Sequence, residues 1–456
     1  MTGRRRVAVV TGGGGGIGGA IAEELGRGGW FVVTVDPLVT LEGDAQLAQP
    51  QETTADRIVA AGGSARASSA SVTDADALHA LFAELADDHG GLDAVVNVAG
   101  ITRQTYFASG TEDDWLAVAT VPLAGWLNVL GAALPLMAAA GHGRILGVTS
   151  GSGWRAADAG AYSCAKRAVA SSTWQLGRCA PPGVTVNAVS PIAATRMVAA
   201  ALERARAAGR SGGGGGLTLD SMPGPEDLAP LVAHVVGDGA GWCNGRVLFA
   251  GGSEVAVVDG PRLMEVVRTD GATSLDRVLE VVVPRALAKA EAGQATAGGS
   301  NPRFGSVFTE PTGDLLPAAD VRSCAVVSDR PALATALEAA LDARSVTCHR
   351  IDLEHGFGDA ARALGALAEA AGPLDAVVLA PDGERAATGP ADGWVRVLAE
   401  HEGIVGRLHT DASWWRATAD HAAGTDRPVR LVTLTDATTA GGASRAQVAA
   451  QQARVA

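Results

Sequence analysis

A serine, a tyrosine and a lysine within one short stretch have the types and spacing to exchange a proton with an alcohol. Ser150 stands just past the apolar run 145–148, and Tyr162 and Lys166 follow, four residues apart. Residues at i and i+4 lie on one face of a helix, so the phenol and the ammonium can enter the same cleft. A free phenol titrates near pH ~10, too high for a base near neutrality, but a cation a few ångströms away favours the phenolate. Tyr162 could then take or give the alcohol proton while Ser150 hydrogen-bonds the same oxygen. Thr149 and Ser152 are weaker candidates for that hydroxyl. The chain has only two tyrosines, and Lys166 and Lys289 are its only lysines, which makes the pairing informative.

Such a trio needs elements to hold it beside a second reactant. Residues 7–10 (Val-Ala-Val-Val) form a short buried strand, residues 11–18 are a threonine followed by a glycine-rich run, and residues 20–25 begin an amphipathic helix. Strand, glycine turn and helix N-terminus together cradle a pyrophosphate, through close backbone approach, free N–H groups and the helix dipole. The chain supplies its own control. The equally long run 212–216 has no strand before it and no periodic helix after it, so it reads as a loop. The next strand, 31–35, ends at Asp36, where a carboxylate hydrogen-bonds the adenosine ribose hydroxyls and repels a 2′-phosphate. No arginine immediately follows Asp36, so NAD is expected over NADP. A further buried strand, 92–96, runs into Asn97-Val-Ala-Gly100.

With these pieces in order, residues 1–258 resemble a short-chain dehydrogenase/reductase of the single-domain subgroup. The matching residues are Thr11-Gly12-x3-Gly16-Ile17-Gly18, Asn97-x-Ala99-Gly100, Ser150, Tyr162-x3-Lys166 and Asn187-x3-Pro191-x3-Thr195, with the strand 245–252 near the end. The resemblance implies an α/β fold with a doubly wound parallel (Rossmann) sheet. It implies an NAD(H)-dependent oxidoreductase that moves a hydride between nicotinamide and a secondary alcohol or ketone, with 3-oxoacyl thioesters among the candidate substrates. Tyr162 would be the acid/base, Lys166 would lower its pKa and bind the nicotinamide ribose, and Ser150 would polarise the substrate oxygen. Thr11, Gly12, Gly16, Ile17, Gly18, Asp36, Val72, Asn97, Ala99, Gly100, Pro191 and Thr195 would line the cofactor, with Thr195 on the carboxamide. Asn97 would also help hold the central strands.

Three departures stand out. Pro122 occupies the place where the family usually has an asparagine that anchors a water linked to the lysine; Asn128, under two turns later, is the nearest substitute. Ser71 replaces a common adenine-binding aspartate, and Ile192 the glycine after Pro191. Residues 196–222 hold the place of a substrate lid, helical at 197–203, with 212–216 as its hinge.

The family pattern ends near residue 258, but the chain continues. Residues 259–318 read as a connector with one helix at 274–283 and a Gly/Ala/Ser/Pro-rich linker at 293–302. Residues 319–456 read as a second, incomplete Rossmann-like unit. Leu374-Asp-Ala-Val-Val378 repeats Leu92-Asp-Ala-Val-Val96, Ala325-Val-Val-Ser328 echoes Ala8-Val-Val-Thr11, Trp394 echoes Trp115, and the strand 429–435 echoes the one before Ser150. The chemistry is gone: Ser328-Asp329-Arg330-Pro331 replaces the glycine cradle, and Gln447 and Gln451 fall near the Tyr and Lys positions. This arrangement is similar to the actinobacterial high-molecular-weight ketoacyl reductases, with the unit order reversed. Helices at 392–422 and 444–456 would let the second unit act as an in-chain pseudo-dimer partner, with homo-oligomers also expected.

Composition limits the alternatives. A formal charge of −13 argues against a nucleic-acid surface. Five cysteines without metal-ligand spacing suit free thiols in a reducing compartment. No metal site, no signal peptide and no membrane-spanning segment is expected, and the location is expected to be cytoplasmic. A second reading remains: a dinucleotide-binding assembly or regulatory protein that has lost turnover, as Pro122 and the decayed half suggest.

Overall fold

Strands built from Val, Ile and Ala, buried on both faces, produce a parallel sheet. In the computed structural model, which describes residues 4–48, 50–103, 110–153, 160–207, 222–252, 254–258, 260, 280–281, 284–285, 320–381 and 393–434, β1 (Val7–Thr11), β4 (Ala94–Asn97) and β5 (Gly143–Val148) are buried at every residue. With β2 (Phe31–Val35), β3 (Ser64–Ser68), β6 (Val184–Pro191), β7 (Val247–Gly251) and β8 (Glu254–Val258) they form one eight-stranded sheet, ordered β3-β2-β1-β4-β5-β6-β7-β8. Seven strands run parallel, and β8 returns antiparallel to β7. The order reverses between β1 and β4, and a crevice opens there at the strand C-termini, where such sheets bind ligands. The glycine run and the Asn97 turn both end in that crevice.

Helices cover both faces. On one, α1 (Gly16–Arg27) and α8 (Pro225–Val235) bury Ile21, Leu25, Leu228 and Val232 against the sheet. On the other lie α3 (Ala75–His89), α4 (Glu112–Ala119), α5 (Gly125–Ala140) and α6 (Gly160–Leu176), contributing Phe82, Trp126, Leu130 and Val169. Two further helices, α2 (Thr54–Ala60) and α7 (Arg196–Ala207), complete this half. The continuous helical run Glu112–Ala140 corrects one expectation, because it is long and apolar enough to cross a bilayer by length and composition. Its apolar character has another cause: Trp126, Val129, Leu130, Leu134 and Met137 are fully buried within the protein.

Strand β8 is not among the expected elements, the last of which in this unit is the strand at 245–252, although it lies within the residues 1–258 assigned to the unit. It forms the outer edge of the sheet, with Val255 and Val257 exposed. The helix expected at 274–283 lies almost wholly outside the described residues, as do the linker 293–302, the hinge 212–216, Gln447, Gln451 and the helix at 444–456.

The second half contains a separate four-stranded parallel sheet, β9 (Ser323–Val327), β10 (Thr347–Ile351), β11 (Ala376–Leu379) and β12 (Arg430–Thr433), ordered β10-β9-β11-β12. Around it are α9 (Pro331–Asp342), α10 (Phe357–Ala371), α11 (Gly393–His401) and α12 (Ile404–Thr425). The order matches β2-β1-β4-β5 of the first sheet, and one aspartate does the same work in both. Asp93 accepts the Val7 N–H at 2.7 Å and a paired contact from Arg4, with both distances 2.7 Å. Asp375 accepts the N–H groups of Arg322 and Ser323 at 2.9 and 3.0 Å, and Arg427 at 2.7 Å. Each carboxylate therefore pins the start of the first strand of its sheet.

Removing one carboxylate leaves a buried strand-end donor without its acceptor, which costs about 1–3 kcal/mol. Asp93→Ala is expected to lower the unfolding free energy by about 2 kcal/mol in urea titration with unchanged m-value, and a loss below about 0.5 kcal/mol would contradict the role given to this clamp.

Candidate active site

The glycine run is fixed by its surroundings rather than slack. Gly12 has φ +66°, and a Cβ there would come 2.9 Å from the Ala99 nitrogen; one on Gly18 would meet the Gly12 carbonyl at 2.2 Å. A Cβ on Gly14 would meet Asp36 Oδ2 at 2.6 Å. At Gly15 and Gly16 a Cβ would meet nothing within 4 Å, so their backbone faces the open crevice at the N-terminus of α1. That is the shape and polarity a pyrophosphate needs, so the residues fit a dinucleotide. Asp36 closes the far side: its carboxylate accepts the N–H groups of Gly14 (3.0 Å) and Leu38 (2.8 Å), which hold it at the end of β2.

The floor of the crevice is a hydrogen-bonded seam. The Thr11 hydroxyl donates to Asn97 Oδ1 at 2.6 Å and accepts the Ala99 N–H at 3.3 Å, tying β1 to the turn after β4. Gly100 lies beside Lys166, because a Cβ there would sit 3.8 Å from the Lys166 Nζ. Val72 is buried over Gly125, and the Asn128 side chain donates to its carbonyl at 2.9 Å. Asn128 is thus committed to the turn after β3, which corrects the expectation that it could replace the missing asparagine. Ser71 is bonded within its own turn, to Thr73. At the other end, Ile192 donates its N–H to the Ala250 carbonyl after Pro191, and Thr195 Oγ1 accepts the Val198 N–H at the start of α7.

Pro122 sits in a wide helical turn, Thr120–Ala124, between α4 and α5, closed by a Gly125 N–H to Thr120 carbonyl bond. Proline lacks the N–H that an α-turn would use, and an i→i+5 turn accommodates the loss. Wide turns of this kind recur at functional sites.

Ser150, Tyr162 and Lys166 converge on the cleft. The Ser150 hydroxyl hydrogen-bonds the Tyr162 phenol. Thr149 is excluded as the substrate-facing hydroxyl, because it is buried and donates to the Lys166 carbonyl at 2.6 Å. Ser152 donates to Ser150 Oγ at 3.1 Å, so it supports Ser150 instead of competing with it. Lys166 Nζ donates to the Val148 carbonyl at 2.8 Å and lies 5.6 Å from the centre of the Tyr162 ring.

The electrostatics are less simple than the spacing suggests. Burial pushes the Tyr162 phenol up from its ordinary value, and the Ser150 hydrogen bond opposes this. Burial also lowers the Lys166 ammonium to about 8. The phenol's own burial, rather than the lysine expected to acidify it, therefore sets the direction of its shift in this geometry.

Crevice, glycine cradle and Tyr–Lys helix define a Rossmann-type dinucleotide-binding oxidoreductase. Residues 6–206 match the family described as short chain dehydrogenase. The short-chain reductase protein NovJ of Streptomyces niveus is 33% identical over 54% of this chain and 92% of that protein. The acetoacetyl-CoA reductase of Cupriavidus necator is 36% identical over 43% of this chain and 78% of that protein. Among solved structures, a short chain dehydrogenase from Mycobacterium avium is 31% identical, with TM-score 0.50, covering 62% of this chain and 94% of its own. The chain belongs to the short-chain dehydrogenase/reductase family, whose members bind nicotinamide dinucleotides. Among the described residues no cluster of His, Cys, Asp and Glu could hold a metal, and all five cysteines are free thiols.

A lysine held charged in this site works against folding. Its folded pKa, about 8, lies below the ordinary lysine value of 10.5, so stability should rise with pH between those values as the folded form gives up its proton first. Lys166→Met is expected to abolish turnover without lowering the melting temperature at pH 7, and to flatten the rise in stability between the two pKa values. A melting temperature several degrees lower at pH 7 would contradict this.

Proposed function

We propose that the chain is an NAD(H)-dependent oxidoreductase acting on a secondary alcohol or its ketone, with Tyr162 as the acid/base. The observation that carries this reading is the convergence of Ser150, Tyr162 and Lys166 beside an open glycine cradle. Gly12, Gly16, Ile17 and Gly18 would hold the pyrophosphate. Asp36 would take the adenosine ribose, Val72 would border the adenine, and Thr11, Asn97, Ala99 and Gly100 would form the floor. Pro191 and Thr195 would border the nicotinamide. When bound, the nicotinamide supplies or accepts the hydride. The protein's share is the proton and the alignment: Ser150 orients the substrate oxygen, Tyr162 donates to it in reduction or takes its proton in oxidation, and Lys166 keeps positive charge beside the phenolate so formed.

The substrate class is read as 3-oxoacyl or related thioesters, because the relatives named above include an acetoacetyl-CoA reductase. The preference for NAD rests on Asp36, whose carboxylate is fixed at the end of β2 and would face a 2′-phosphate with like charge. We divide the chain into a catalytic unit at 1–258, a connector at 259–318 and a degenerate, structural unit at 319–456. The matching strand order and the paired clamps of Asp93 and Asp375 support the last. Free thiols suit a cytosolic enzyme.

Tyr162→Phe should lower kcat with acetoacetyl-CoA at least a thousandfold while NADH binding, followed by fluorescence, changes less than threefold; retained turnover would remove Tyr162 from the chemistry. Asp36→Ser should shift the ratio of kcat/KM for NADH over NADPH at least tenfold toward NADPH, and an unchanged ratio would move cofactor choice to other residues.

A further inference from the structure

The second unit packs behind the catalytic helix, α12 against α4 and the wide turn after it and α11 against α5 and α6. Along α12, Ile404, Leu408 and Ala412 recur every fourth residue, so they form one face. All three are buried in a cluster that contains Trp115 and Val118 of α4 and Ala161 and Ala165 of α6. Ala161 and Ala165 immediately precede Tyr162 and Lys166, so one side of α6 carries the chemistry and the adjoining side carries small residues that admit α4. Two polar contacts fix the same helix to the entry of α4. Arg416 Nη1 donates to the Gly110 carbonyl at 2.7 Å. His409 Nε2 lies 2.9 Å from Glu112 Oε1, without hydrogen-bond alignment, and its ring sits 5.4 Å from Trp115 and 5.3 Å from Phe357. Beside them, Val397 of α11 joins the core formed by α5 and α6, and Trp394 packs against it.

We propose that α12 is a positioning element for the catalytic reaction: Leu408 and its neighbours brace α4, which backs α6, and Arg416 anchors the chain at Gly110, so that Tyr162 and Lys166 are held in register from outside the catalytic unit. The proposal deepens the reading of Tyr162 as acid/base and rests on it for its kinetic consequence only. The physical argument is one of rigidity. A catalytic group must be held within fractions of an ångström of its working position, and α6 is backed by α4, whose own outer side could shift without a further partner. An apolar brace on that side, locked by a hydrogen bond to backbone, removes the freedom. None of these residues touches the cleft, so they act through α6 and α4.

The test uses the full chain and reads position separately from chemistry. Leu408→Glu puts a charge into the brace; Arg416→Ala removes the anchor, and Arg416→Lys restores a donor. Amide hydrogen exchange over 160–176 reports the helix, NADH fluorescence titration reports the cradle, and kcat with acetoacetyl-CoA reports the chemistry. Leu408→Glu is expected to speed exchange over 160–176 at least tenfold and lower kcat at least tenfold, with NADH affinity within threefold of wild type. Arg416→Ala is expected to lower kcat about threefold, with recovery in Arg416→Lys. Unchanged exchange over 160–176 in Leu408→Glu overturns the proposal, as does faster exchange with full kcat. Should Leu408→Glu fail to fold, Arg416→Ala decides: wild-type kcat and exchange there overturn it. Failure of the acid/base reading would appear differently, as turnover that survives Tyr162→Phe while the exchange result stands.

Discussion

The contact between the Lys166 ammonium and the Val148 carbonyl is the constraint on which the rest of the site depends. A buried cation with a backbone acceptor in place of water is held at a cost, and its lowered pKa of about 8 expresses that cost. The strand β5 must end where it does for the carbonyl to be in place. The helix α6 must lie against that end, which the Thr149 hydroxyl secures by bonding the Lys166 carbonyl. Ser150, one residue on, is thereby delivered to Tyr162. A single lysine thus sets the relation between a strand end, a helix and a hydroxyl.

The cradle obeys a different logic. Gly12, Gly14 and Gly18 have neighbouring backbone or Asp36 in the space of a side chain, whereas at Gly15 and Gly16 that space is open. A run that looks uniform in the sequence therefore divides into closed and open positions. The second sheet has no such run. Asp375 clamps its first strand and the strand order is the same, but the turn after β9 begins α9 with Pro331, which has no N–H to offer an anion.

Much of this is legible in the sequence because it is local. Strands 7–11, 31–35 and 94–97 follow from β-branched runs, and the Tyr162–Lys166 pair follows from helical spacing. The repeat of Leu-Asp-Ala-Val-Val at 92 and 374 marks the second sheet. What the sequence does not disclose depends on partners distant in the chain. Asn128 reads as a spare amide in the sequence, whereas in the fold it is taken up by the Val72 carbonyl. The balance of burial and charge at Tyr162 does not follow from the spacing to Lys166, since desolvation depends on everything packed around them. Arg416 and Gly110 have no sequence relation at all. The edge strand β8 is hidden for another reason: two exposed valines are as compatible with a loop as with a sheet margin.

The wide turn at Thr120–Ala124 has a consequence for how this helix can vary. It holds one residue more than an α-turn, so it takes up that residue without changing the phase of the two helical segments, which have different jobs. Upstream, Trp115 faces the second half of the chain; downstream, Trp126 faces the sheet. Losing one residue within the turn would let the two segments run on as a regular α-helix with Trp126 still on the sheet, whereas losing one residue between the turn and Trp126 would rotate the indole by about 100° away from it. A change of length is tolerated in this turn and nowhere else along the run.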